Sequence, residues 1–214
     1  MSYRVRAAVV DDKLLKLTNP IIVRTLKNCE SVLKQKKNYV VSVIPTNDEF
    51  VTKNMGGATG LTVNFGKISI HVSTRSKNWK SSLKSTVAHE FNHIIRIHYL
   101  NLHDLEKNRL IDTIASEGLA QVFEEEITGR RSTYSKSVTS GTAKRIWKIM
   151  KSYNKNDYYD KFFINGNDKT KEYPLWCGYT VAYLIVKKRK MELGLSWPEL
   201  MKMGAKELVE NGLV

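Results

Sequence analysis

Long apolar runs are missing from this 214-residue chain, the clearest being residues 21–23 and 181–186. Both fall far short of the roughly 18 residues of a membrane span. The opening MSYRVRAAVVDD carries two arginines, but its apolar stretch at residues 7–10 is too short for a signal-peptide core, and Asp11 and Asp12 end it. A soluble, cytoplasmic protein is expected. Cysteine is scarce too: Cys29 and Cys177 stand alone, with no CxxC pair. Two reduced, partly buried thiols are expected, and neither reads as a zinc ligand. Acidic residues are few, 21 against 35 Lys and Arg, for a net charge of +14. Such a balance attracts nucleic acid, anionic lipid headgroups or acidic protein segments. The clusters that carry it (Lys34, Lys36 and Lys37; Lys144, Arg145, Lys148 and Lys151; residues 187–190) also suit plain solvated helix faces.

No internal repeat or low-complexity linker divides the sequence, so a single domain over residues 1–214 is expected, with 42% hydrophobic residues to build its core. Asn19 and Pro20 read as an N-cap and first-turn proline, followed by Ile21, Ile22, Leu26, Cys29 and Leu33 at helical spacing to about residue 37. Residues 39–44 are β-branched and aromatic and stop at Pro45, as a strand would. The glycine-rich residues 55–60 read as a flexible loop. Leu61, Val63 and Phe65, then Ile68, Ile70 and Val72, alternate about Gly66 and Lys67 and predict a hairpin. Helices follow, one capped by Ser81 or Ser82, others over about 111–127, 142–153 and 176–190, and a short one from Pro198 toward residue 211. Strands first and helices afterwards imply α+β: a helix and a small, mostly antiparallel sheet over about 1–75, then a helical part over about 80–214.

Within the first of these later helices, residues 89–93 spell HEFNH. His89 and His93, four apart, lie on one helical face one turn apart, and their imidazoles can grip one Zn²⁺. Glu90 is turned about 100° from His89, toward a water molecule rather than the metal. Five histidines and thirteen glutamates make a chance match an event on the order of 1% per chain. The alternative is an amphipathic core helix with a buried, hydrogen-bonded histidine.

A catalytic zinc usually has three protein ligands and a water. In the pattern HExxHxxGxxH a third histidine follows a glycine break, but those positions hold Arg96 and Tyr99 here. His98 is five residues after His93 and lies about 140° round the helix, so it reads as a solvent-facing or packing side chain. Glu117, twenty-four residues beyond His93 in the segment IASEGLA, is the better candidate. Gly118 and Ala120 are small enough to let its helix approach the first, and the site becomes His₂Glu. Against it stands a surface glutamate that begins the acidic run at 124–126.

With AHEFNHIIRI, LIDTIASEGLA and the later WCGYTVAYLIV in place, residues 80–190 resemble gluzincin-type metalloproteases, and more closely the YjaZ-like family of predicted zinc-dependent proteases from bacteria. The resemblance implies a zincin-like fold, His89, His93 and Glu117 as zinc ligands, and Glu90 as the catalytic base. Many gluzincins place an acid four residues after the third ligand to orient a histidine. That position is Gln121 here, which can accept an imidazole N–H without supplying charge. Asp112 is the other candidate for this role.

Hydrolysis of a peptide bond by water follows, with Glu90 moving the proton to the leaving amine. Tyr179 is the candidate donor to the oxyanion, since Gly178 lets the backbone come close; a core tyrosine is the alternative. The strand at residues 68–73 is expected to be an edge that pairs with extended peptide or protein substrate, and residues 56–60 a mobile rim. The rival reading is a basic module that binds nucleic acid or acidic protein and carries a structural or inactive zinc. A closed site of that kind needs a fourth ligand, for which His103 is the spare residue.

Overall fold

The computed structural model describes residues 4–7, 12–35, 39–64, 66–100, 110–164 and 173–213. Its first helix, α1 (Asp12–Leu33), buries Ile22, Leu26, Cys29 and Leu33, the spacing that lays one helical face on a core. The helix starts at Asp12 instead of at an Asn19 cap, and Pro20 lies inside it. Proline there removes one N–H and crowds the carbonyl of residue 16. Lys16 and Pro20 are both exposed, so water can satisfy that carbonyl. The helix ends before residue 37, with Lys34 at φ 52°.

Four strands, β1 (Arg4–Ala7), β2 (Val40–Pro45), β3 (Ala58–Asn64) and β4 (Lys67–Val72), form one sheet in the order β1-β2-β4-β3. The β3/β4 hairpin is antiparallel as expected, but β1–β2 and β2–β4 are parallel, so the sheet is mixed and not mostly antiparallel. Helix α1 joins β1 to β2 as a crossover and returns the chain in the same direction, and β2 reaches its parallel neighbour β4 only after α2 (Glu49–Lys53) and β3. A second correction concerns the edge. β4 pairs on both sides, and the edge next to it is β3.

Alternate β4 residues Ile68, Ile70 and Val72 are buried. On β3 the apolar residues face the other way: Leu61 and Val63 are 65% and 54% exposed. The segment at 56–60, expected as a loop, is partly strand and is tied by main-chain hydrogen bonds. Gly57 N donates to Val51 O in α2 (Glu49–Lys53), Ser73 N donates to Gly57 O, and residues 58–60 already belong to β3. Gly57 has φ +99°, and a Cβ there would lie 2.8 Å from Ser73 O, so glycine is required for this turn.

Helix α3 (Trp79–Leu100) packs on α1, β3 and β4. Phe91, Ile94 and Ile95 are fully buried, and Phe91 meets Tyr39 edge-on at 4.9 Å between centroids. The Ser82 hydroxyl does not cap α3: it donates to Met55 O at 2.7 Å and ties the turn before β3 to the helix.

By proximity the chain forms two compact units, Met1–Asn101 with Phe123–Arg130, and Leu102–Val122 with Arg131–Val214. Helix α4 (Leu110–Thr128) is one continuous element that contributes turns to both. Gly129, at φ +69°, ends it in the left-handed conformation that stops helices. The second unit is helical. It holds α5 (Ser140–Met150), α6 (Cys177–Leu193) and, in place of one helix after Pro198, the short α7 (Trp197–Leu200) and α8 (Ala205–Val209). Helix α6 packs on α5, on α8, on a 3-10 turn at Tyr134–Lys136 and on a π-helical turn at Asp160–Ile164. That last turn buries Phe162 and Phe163 in a segment whose polar composition hides them.

Cys29 and Cys177 are free and buried, as expected. Lys144, Arg145, Lys148 and Lys151 form an exposed face. The cluster at 187–190 is half-buried instead, with Lys188 and Arg189 paired to Glu192 at 3.6 and 3.8 Å and Lys190 5.2 Å above the Trp197 ring. Among the described residues, no helix is long and apolar enough to cross a membrane.

Candidate metal centre

Helix α3 carries His89 and His93 one turn apart, with ring centroids 4.8 Å apart and planes at 78°. His89 is buried and His93 half-buried. Nδ1 of His89 lies 3.3 Å from Oε2 of Glu124, a fully buried carboxylate on α4. An Nδ1–H held by a carboxylate leaves Nε2 with its lone pair, the form of imidazole that binds a metal.

Glu117 is on the same helix, seven residues before Glu124. Seven residues are close to two turns, so both side chains leave one side of α4, from Cα atoms about 10.5 Å apart along its axis. Each of His89, His93 and Glu117 offers a ligand atom, and these atoms all lie within 4.8 Å of one another. Two imidazole nitrogens and one carboxylate oxygen form a donor set that suits zinc and leaves a position open.

Glu90 stands on the neighbouring face of α3, buried against β3. Thr62 Oγ1 lies 2.8 Å from Glu90 Oε2 and 3.0 Å from the Glu90 main-chain oxygen. Two residues earlier in the strand, Gly60 leaves the space that this carboxylate fills. A Cβ there would come within 2.7 Å of Glu90 Cγ and of Thr86 Cγ2.

In the second unit, Glu117 and Tyr179 act on one another. The Tyr179 phenol is pushed well above its ordinary range, first by burial and then by the negative charge of Glu117, with smaller contributions from Tyr159 and Tyr134. It therefore stays protonated, a hydrogen-bond donor at any physiological pH. Its hydroxyl is 3.4 Å from that of Tyr159, and its ring meets Tyr134 and Phe163 with centroids 5.2 Å away in each case. Gly178 does allow a close approach, since a Cβ there would lie 2.8 Å from Phe162 O.

Three expectations need correction. Gln121 turns its amide nitrogen to the main-chain oxygens of Glu117 and Tyr179, at 3.1 and 3.0 Å, and so braces α4 against α6. The carboxylate at the His89 imidazole is Glu124, which takes the place that the spacing offers to Gln121. Gly118 is small for the sake of α6: a Cβ there would meet Ala182 O at 2.5 Å. His98 is half-buried, and His103 lies outside the described residues. Glu124 was hidden in a run of three glutamates. Its spacing from Glu117 was the available signal.

An α+β chain with a small sheet, an HExxH helix and a glutamate on the next helix belongs to the class of candidate zinc enzymes. A family model described as Predicted Zn-dependent protease (DUF2268) matches residues 19–210. The chain belongs to that family, in keeping with its resemblance to YjaZ-like proteins. No curated protein matches it.

Proposed function

We propose that this chain is a zinc metallopeptidase of zincin-like, gluzincin type, one domain in which His89, His93 and Glu117 hold the metal. The carrying observation is the convergence of those three donors to within 4.8 Å. The family description, a predicted Zn-dependent protease, supports the same reading. Zinc held there would supply Lewis acidity toward water and a peptide carbonyl.

The chain's own groups do the rest. Glu124 fixes the His89 ring and its tautomer. Glu90, the general base, takes a proton from the attacking water and returns it to the leaving amine. The Tyr179 hydroxyl donates to the oxyanion of the tetrahedral intermediate. Strand β3, an edge of the sheet among the described residues, offers its outer main-chain groups to an extended peptide, which gives affinity without strong sequence selectivity.

The donor set His89, His93 and Glu117 is of the His₂Glu type in which water or substrate takes the fourth position, and this supports catalysis over the binding-module reading. Metal analysis of the purified chain and of Glu117→Ala, together with peptidase assays of Glu90→Gln, tests the proposal. One zinc per chain, lost from the first variant, and zinc-loaded but inactive protein in the second are the expected results. Full peptidase activity in Glu90→Gln would sink the mechanism.

A further inference from the structure

We infer that Thr62 is a positioning residue for Glu90, an inference that rests on the peptidase reading for its consequence but not for its geometry. Strand β3 alternates. Leu61 and Val63 are exposed, whereas Thr62 bonds to Glu90 and the empty side of Gly60 abuts it. One strand therefore does two things to the same carboxylate: Gly60 makes room for it, and Thr62 grips one of its oxygens.

The Glu90 carboxylate is buried, and a glutamate side chain has three rotatable bonds to place its oxygens. Among the described residues, the Thr62 hydroxyl is its hydrogen-bond partner, at 2.8 Å from Oε2. That bond selects one rotamer and leaves Oε1 as the oxygen able to accept a proton from water. A general base must lie within about 2.6–3.2 Å of the atom whose proton it takes, and a displacement of about 1 Å can cost on the order of 100-fold in rate. Because Thr62 belongs to an edge strand, a peptide paired to β3 would extend the strand that holds the base.

The hydroxyl also approaches the Glu90 main-chain oxygen at 3.0 Å, so a purely structural role must be separated from a positioning one. Thr62→Val keeps the shape and removes the hydroxyl; Thr62→Ser keeps the hydroxyl and removes a methyl group. Three measurements on each are needed: kcat and KM on a peptide substrate, zinc content, and a crystal structure of the variant. The expected result is that Thr62→Val loses about 10- to 100-fold in kcat with KM within about twofold and zinc unchanged. Its Glu90 carboxylate should move from its place, while Thr62→Ser keeps that place and recovers kcat to within about threefold. Equal losses in the two variants, or an undisplaced Glu90 in Thr62→Val, would overturn the inference. If the wild-type chain cleaved no peptide, the peptidase reading would fail instead, and the position of Glu90 in the two crystal structures would still decide whether Thr62 sets it.

Discussion

Nδ1 of His89 is 3.3 Å from Oε2 of Glu124, and the carboxylate is 1% exposed. A buried carboxylate requires a partner, and a metal-binding imidazole requires its other nitrogen to be held. Each residue meets the other's need. Removing such an orienting partner typically costs 10- to 100-fold in metal affinity, so we expect a loss of about that size in Glu124→Ala. Glu124→Gln, whose amide oxygen can still accept from Nδ1–H, should lose less. Zinc competition titrations with a chromophoric chelator measure both, and equal affinity in wild type and Glu124→Ala would remove Glu124 from the site.

Gly60 provides a second test, independent of the ligands. A Cβ on residue 60 would lie 2.7 Å from Glu90 Cγ, closer than real atoms tolerate, and 3.1 Å from its Cδ. The far end of Glu90 is flexible, so the side chain should yield before the backbone does. Gly60→Ala is therefore expected to fold and to bind zinc normally while losing about 10-fold or more in kcat, in line with the cost of misplacing a catalytic group. Kinetics and metal analysis on one preparation check this. A fall in zinc content parallel to the fall in activity would show that the strand, and not the base, had been displaced.

Much of the centre was legible because its signals are local. HEFNH and the EGLA segment bring their geometry with them, since helical spacing alone sets which side chains share a face. Three features escaped because they depend on partners distant in sequence. The parallel pairing of β1 with β2 follows from a crossover through α1, whereas the β3/β4 turn announces an antiparallel pair in a few residues. Glu124 sits among like neighbours, and burial alone distinguishes it from Glu125. The small size of Gly118 marks a close helix contact in the sequence, but the contact is with α6 and not with the HEFNH helix.

That contact leads to a stability prediction. In Gly118→Ala the new methyl group would lie 2.4 Å from Val186 Cγ2 and 2.5 Å from Ala182 O. Alanine favours a helix over glycine by about 1 kcal/mol, but overpacking a core costs about 1–3 kcal/mol, and a backbone oxygen cannot rotate away. The clash should win. A net loss of up to about 2 kcal/mol corresponds to a fall of up to roughly 8 °C in Tm for a chain of this size. Calorimetry on the metal-free protein isolates the packing term, and a Tm at or above that of wild type would mean that α4 and α6 separate at little cost.

The thiol of Cys177 supports a prediction about pH. Burial pushes its pKa up to about 12 from 9.0, against smaller opposing contributions from backbone hydrogen bonds. Its Sγ sits 3.6 Å from Phe162 O, under the π-helical turn. Between these two values the unfolded chain has released the thiol proton and the folded chain still holds it. Unfolding then releases a proton, and the slope of stability against pH is negative. The contribution is fully present below about pH 9 and is lost at up to about 1.4 kcal/mol per pH unit as pH rises toward 12. Lysines and tyrosines titrate in the same range, so the useful quantity is a difference between wild type and Cys177→Ala. The alanine variant should begin less stable, because it leaves a small cavity, and the gap should close as pH rises from 8.5 to 11 in urea unfolding experiments. A gap that stayed constant across that range would mean that the folded chain gives up this proton as readily as the unfolded one, and the thiol would have to be reached by water.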